Sequence, residues 1–350
     1  MRVERVRELI RLPGPCITIF LPAYRPGEET VHRPSALLRT FVQEARRELT
    51  QVHSDSREAG DLLEPLRAMA EDPATDEGRH WPRVVFRSPS GMESYDLREP
   101  LTPRCTAGAR FQILPLLGEL NLPAMFYVLK ISHKGAALFR AQFTLERLAI
   151  PSGVAGGLAD FLELDAPDRD LENRSSAGPT AGDHVRFGTG NERETRQAHI
   201  SDYYRALDRA MREVRPVAPL ILAGVDEDTA LYRDVTADPD LVEGTIRDNA
   251  PDREILKSGY EILRARLMDG AARLLVDTKN HTAPSRFTAD VPAIVAAAEQ
   301  GRVARLFLRA GIEDETANLA ATETIRRDGQ TLVLPPERMA EAAILAELRY

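Results

Sequence analysis

Histidine and arginine are the residues here whose types invite chemistry. His80, His133, His184 and His199 are candidates for metal ligands or general bases. Their spacing contains no HExxH, and the chain has no CxxC. Two cysteines, Cys16 and Cys105, cannot build a four-thiolate zinc site or a disulfide framework. The pattern therefore predicts surface or hydrogen-bonding histidines, no metal and no cofactor. Gly188-Thr189-Gly190 lacks the third glycine of a dinucleotide fingerprint and follows a loop, not a strand. Neither GxSxG nor a Walker A lysine occurs.

The arginines are more suggestive. Seven fall between residues 186 and 215: Arg186, Arg193, Arg196, Arg205, Arg209, Arg212 and Arg215. Ile200, Tyr204, Leu207, Met211 and Val214 form an apolar helical stripe, and Arg205, Arg209 and Arg212 share another face. Such a face is either solvated and paired with Asp202, Asp208 and Glu213, or a phosphate-binding edge. Residues 165–195, just ahead, lack apolar periodicity and hold Gly178, Gly182, Gly188 and Gly190. Residues 175–195 are expected to project as a mobile tip, with Arg186, Arg193 and Arg196 continuing the positive charge toward it.

These residues sit in an ordinary globular composition, with 350 residues, 43% hydrophobic and 29% charged. No apolar run reaches the ~18 residues of a membrane span. Residues 1–12 alternate Arg and Glu with aliphatics, unlike a signal or transit peptide, which predicts a cytoplasmic protein without membrane contact. A net charge of −8 argues against a general nucleic-acid coat. The charge is uneven: net −1 over 1–122, zero over 123–216 and −7 over 217–350.

The hydrophobic pattern places a short amphipathic segment at Val3, Val6, Leu9 and Ile10 and a buried strand at 16–21. Helices follow after Pro34 and over 61–70, then short strands between Trp81 and Pro103. After Asn121-Leu122-Pro123 it predicts an antiparallel meander: strands at 125–131, 136–140 and 145–150, with a turn at Ser132-His133-Lys134-Gly135. A nuclease of the RNase H-like kind would need carboxylates on the first of these strands, whose single charge is Lys130. Beyond Pro216 and Pro219 come a strand at 220–225, a long helix over 253–275, a helix at 294–300 and a strand at 303–308. Strands near 322–325 and 331–334 are expected to flank a hairpin turn at Asp328-Gly329.

The order of these pieces resembles the bacterial relatives of archaeo-eukaryotic release factors and of Pelota. The resemblance is carried by Ile17-Thr18-Ile19-Phe20-Leu21-Pro22-Ala23-Tyr24-Arg25, Leu63-Glu64-Pro65-Leu66, residues 111–117 and Phe126-Tyr127-Val128-Leu129. It continues through Gly135-Ala136-Ala137-Leu138-Phe139, residues 203–210, Pro219-Leu220-Ile221-Leu222-Ala223-Gly224-Val225 and residues 342–350. It implies an α/β protein of three domains. These are an N-terminal α/β domain (1–122), an RNase H-like release-factor-type middle domain (123–216) and a Pelota-like, kink-turn-binding-protein-like α/β sandwich (217–350).

In the family's release factors a Gly-Gly-Gln tip promotes peptidyl-tRNA hydrolysis, the glutamine amide stabilising the transition state. No Gly-Gly-Gln occurs in this chain. The nearest match, Ala181-Gly182-Asp183, is followed by His184 and then Arg186-Phe187. An aspartate there sets an anion in a phosphate-dense centre. The resemblance thus implies a ribosome-binding factor for rescue, quality control or ribosome protection at the A site. Its partners would be rRNA or tRNA and a translational GTPase, with Arg186, Arg193, Arg196, Arg205, Arg209 and Arg212 contacting RNA. The alternatives are a peptidyl-tRNA or aminoacyl-tRNA hydrolase working through the 175–195 loop, and a small-molecule-binding stress protein.

Overall fold

The computed structural model describes residues 3–24, 33–52, 56–77, 81–98, 101–165, 189–339 and 341–350. These form an α/β protein with three sheets. They fall into two compact units, residues 1–122 with 264–350, and residues 123–263. The chain leaves the first unit after Leu122 and returns to it within the helix Asp252–His281.

The boundary expected near residues 215–219 falls elsewhere. Strand Leu220–Ala223 pairs in parallel with Phe126–Ser132, and Leu241–Ile246 pairs in parallel with it in turn. The apolar run after Pro219 therefore continues the middle sheet instead of opening a new domain. Proline ends a helix locally, but which strand the next segment pairs with is a long-range matter.

In the first unit, the strand Cys16–Leu21 lies inside a four-stranded antiparallel sheet, between Arg83–Ser88 and Arg104–Gly108, with Gly91–Asp96 at one edge. All six of its residues are buried because both faces are covered. Ile17, Ile19 and Leu21 pack with Leu38, Phe41 and Ala45 of helix Pro34–Val52 and Leu63 and Leu66 of helix Ser56–Glu71. On the other face, Cys16 and Phe20 join a core with Phe111, Ile113, Leu306 and Ala320. Asn318 joins the two chain segments of this unit. Its Oδ1 accepts the Ile113 and Leu114 N–H groups at 2.8 and 3.3 Å, and its Nδ2 donates to the Phe111 carbonyl at 3.0 Å. Both thiols are buried; burial pushes Cys16 up to about 11 and Cys105 higher still.

The second sheet of this unit runs Phe287–Thr288, Ile344–Leu348, Val303–Arg309, Gln330–Leu334. Here a second expectation fails. Residues 322–325 are not a strand but part of helix Glu315–Arg326, and Gln330–Leu334 pairs in parallel with Val303–Arg309. Threonines raise local β-propensity, yet Ala317, Ala320, Ala321 and Ile325 make one helical face that the core buries. Asp314 caps the helix through the Ala317 N–H at 2.7 Å. Asp328, at φ 58°, turns the chain from helix to strand instead of closing a hairpin.

The second unit holds one five-stranded sheet, ordered Leu145–Leu148, Gly135–Ala141, Phe126–Ser132, Leu220–Ala223, Leu241–Ile246. The first three strands form the antiparallel meander. Tyr127, Leu129 and Ile131 face helix Thr189–Val214. Phe126, next along the strand, stacks edge-on against Tyr260 with ring centres 5.0 Å apart. Helix Asp226–Val235 and strand Leu241–Ile246 were not among the elements read from the sequence. Their signals were an acidic first turn, Asp226-Glu227-Asp228, and the aliphatics Leu241, Val242 and Ile246.

Candidate functional site

Helix Thr189–Val214 begins earlier than the sequence pattern suggests, so residues 189–195 are helical and not loop. Ala181, Gly182, Asp183, His184 and Arg186 lie outside the described residues. Arg193 and Arg196 fall within the helix, but their side chains lie outside the described part. Inward, the helix buries Ile200, Tyr203, Tyr204, Leu207 and Met211, while Val214 is exposed. Tyr203 joins the apolar stripe by its i+3 spacing from Ile200, which the stripe through Tyr204 does not include.

The three described arginines of the predicted face differ in their electrostatics. Arg205 is exposed and pairs at 2.9 Å with exposed Asp202, one turn earlier. Arg209 is exposed with no ion-pair partner among the described residues. Arg212 is not free: its Nη2 lies 3.0 Å from Oδ2 of Asp208, a carboxylate only 3% exposed. Asp208 also accepts from Thr236 Oγ1 at 2.5 Å, the Tyr232 hydroxyl at 3.3 Å and the Ala237 N–H at 3.4 Å. Arg212 thus neutralises a buried anion that ties the helix to residues 232–237, while its own side chain stays exposed. Arg215, one turn on, is fully internal. It pairs with Asp238, donates to the Ala218 carbonyl at 2.8 Å, reaches Asp240 at 3.4 Å and sits over the Tyr127 ring.

A further ionisable pair lies beside this helix, and sequence reasoning missed half of it. His133, in the turn after Phe126–Ser132, places Nε2 2.9 Å from Oδ1 of Asp228. Asp228 is buried in the first turn of helix Asp226–Val235, where a carboxylate suits the helix dipole. Close packing holds the turn there: a Cβ on Gly157, at φ 97°, would lie 2.6 Å from the Lys134 carbonyl carbon. Burial, and after it Asp228, pushes the Tyr203 phenol up to about 12 and the Tyr204 phenol further. Burial and Asp208 do the same to Tyr232. The contact joins the turn to the start of helix Asp226–Val235. Among the described residues no group of three His, Cys, Asp or Glu side chains could hold a metal ion.

The raised phenols make a prediction for alkaline pH. Folding favours their neutral forms, so Tyr203 contributes its full stabilisation below pH ~10, the unfolded value, and loses it as pH rises through about 12. Urea titrations followed by circular dichroism at increasing pH should show a loss of about 1–2 kcal/mol from this residue. Tyrosinate absorbance that rises fully near pH ~10 while the protein stays folded would contradict it.

The family model that matches this chain is bacterial archaeo-eukaryotic release factor family 3, over residues 125–302. The chain belongs to this family. The matched span takes in the arginine helix, the Asp208 network and the His133–Asp228 pair of the family 3 protein. No curated protein matches it. Among solved structures, the archaeal translation termination factor aRF1 is 14% identical, with 99% of this chain and 96% of that chain covered and a TM-score of 0.27. Archaeoglobus fulgidus Pelota is 12% identical, covering 77% and 79%, at a TM-score of 0.38. Ribosome-bound archaeal Pelota with ABCE1 is 13% identical, covering 80% and 79%, at 0.35. These superpose loosely, so membership rests on the family match. No helix among the described residues is long and apolar enough to cross a membrane.

Proposed function

We propose that this family 3 protein is a cytoplasmic, ribosome-binding translation factor that acts at the A site in rescue, quality control or ribosome protection. Membership of a release-factor family carries the reading. The absence of Gly-Gly-Gln from the sequence favours a binding role over peptide release. A translational GTPase is the protein partner this role implies. The middle unit is read as RNase H-like. Support comes from its sheet order, third, second, first, fourth and fifth strand, with the second alone antiparallel to the rest. The Pelota-like reading attaches to the parallel pair Val303–Arg309 and Gln330–Leu334 around helix Glu315–Arg326.

Arg205, Arg209 and Arg212 are exposed on the described helix and are the suggested phosphate contacts, with Arg186, Arg193 and Arg196 extending them; Arg205 and Arg209 are the two that hold no buried carboxylate. Sedimentation of the protein with bacterial ribosomes across a salt series tests this. Arg205→Ala with Arg209→Ala should weaken binding and flatten the salt dependence by about 1–2 in log–log slope. Stability should change by less than about 0.5 kcal/mol, since both side chains are exposed. Unchanged affinity would remove this face from the interface, and no co-sedimentation at low salt would end the ribosome reading. Cleavage of peptidyl-tRNA by the unmodified protein would transfer the assignment to a hydrolase.

A further inference from the structure

Along strand Val303–Arg309, Arg305 and Arg309 fall on the side of Phe307, which packs against Ala271, Ala272 and Leu275 of the long helix. Their surroundings differ. Arg305 is matched by the buried Glu347 carboxylate at 2.7 Å and by Thr278. Arg309 is half-buried, and its guanidinium has no partner among the described residues. It lines a cavity of about 220 Å³ whose apolar wall includes Leu101, Leu114, Leu117, Met268 and Ile312. A second cavity of about 170 Å³ shares Gly118, Met268 and Val333 with it, extending one crevice.

The crevice opens at the carboxyl ends of the parallel pair Val303–Arg309 and Gln330–Leu334, the end of such strands where ligands bind in open α/β sheets. The connecting loop turns there at Gly311, with φ 79°, a conformation that a side chain would strain. At the rim, Arg104 pairs with the exposed Glu313. The ionisable lining of the first cavity is two arginines against one glutamate, and Arg264 lines the second, so the crevice is positive in a chain whose net charge is −8.

We propose that this crevice binds a small organic anion, its compact apolar body against Leu114, Leu117 and Met268 and its carboxylate or phosphate head on Arg309. A planar guanidinium offers two parallel N–H donors to either head group. The apolar wall supplies affinity by leaving water, and the unmatched charge selects anions over neutral molecules of the same shape.

Calorimetric titration of the full-length protein with hexanoate, hexyl phosphate and hexanol tests this, with Trp81 fluorescence checking that each variant is folded. The anions should bind with Kd below about 1 mM and hexanol at least about tenfold more weakly. The tighter of the two anions identifies the head group. Arg309→Met should weaken anion binding about tenfold or more and leave hexanol unchanged. Glu313→Gln, at an exposed position, should tighten anion binding about two- to fivefold by freeing Arg104. This variant keeps the test decisive if Arg309→Met fails to fold. The proposal is overturned by no anion binding at about 10 mM, by equal binding of hexanol, or by anion affinity that neither variant moves.

Discussion

Replacing Glu119 by glutamine is expected to destabilise the first unit by about 3–5 kcal/mol, one of the two largest single-residue effects in this protein. Glu119 and Arg98 are a buried ion pair, with side chains 1% and 4% exposed. Glu119 Oε1 accepts from Arg98 Nε at 2.6 Å, and Oε2 accepts the Arg98 backbone N–H at 2.9 Å. The Glu119 carbonyl takes a further bond from Nη2 at 3.2 Å. Glutamine keeps the shape but removes the charge and turns one acceptor into a donor facing donors. The guanidinium is then buried without its carboxylate, and the low surrounding dielectric makes that loss expensive. Replacing both partners together, Arg98→Met with Glu119→Leu, should recover most of the loss, because neither charge then has to be desolvated. Urea unfolding followed by Trp81 fluorescence measures both, since the chain's single tryptophan lies in this unit. A glutamine variant within about 1 kcal/mol of the parent would refute the argument.

Arg215→Met should have a similar effect in the second unit, about 3–5 kcal/mol. The change strips the charge from a site holding Asp238, with its side chain 1% exposed, and Asp240. Among the described residues, Asp238 would keep the Asp240 N–H on Oδ1, at 2.9 Å. Arg215 follows the last turn of helix Thr189–Val214, and its partners precede strand Leu241–Ile246, so it joins the end of the arginine helix to the sheet. Arg215→Lys should recover less than half of the loss. An ammonium supplies charge but cannot serve Asp238, Asp240 and the Ala218 carbonyl in a flat fork over the Tyr127 ring. Because this unit has no tryptophan, circular dichroism and tyrosine fluorescence follow its unfolding. Full recovery by lysine would show that charge alone matters there.

The local elements were legible where the signal is local. Strand Cys16–Leu21 follows from six β-favouring residues between prolines. The meander from Phe126 to Leu148 follows from apolar strands around a short polar turn at His133-Lys134. The inward face of helix Thr189–Val214 follows from a 3.6-residue period, and its outward Arg205 and Arg209 from the complement. The family resemblance was also present in the order of these segments, and the family match agrees with it.

Tertiary structure decided the rest, because it depends on which distant groups meet. The i,i+4 spacing of Asp208 and Arg212 offers their pairing in the sequence, but only the fold buries Asp208 and holds it by Tyr232 and Thr236 from another helix end, while Arg209 stays solvated. Residues 322–325 carry β-favouring threonines, but burying Ala317, Ala320 and Ala321 in the core stabilises the helix over the strand. The apolar run 220–223 announced a strand without naming its neighbour; pairing with Phe126–Ser132 across about ninety residues moved the domain boundary. Composition and periodicity thus determined the elements and the exposed basic face. Burial and long-range pairing determined which charges lie inside the fold and which stay exposed, because desolvation depends on distant segments that meet only in the folded chain.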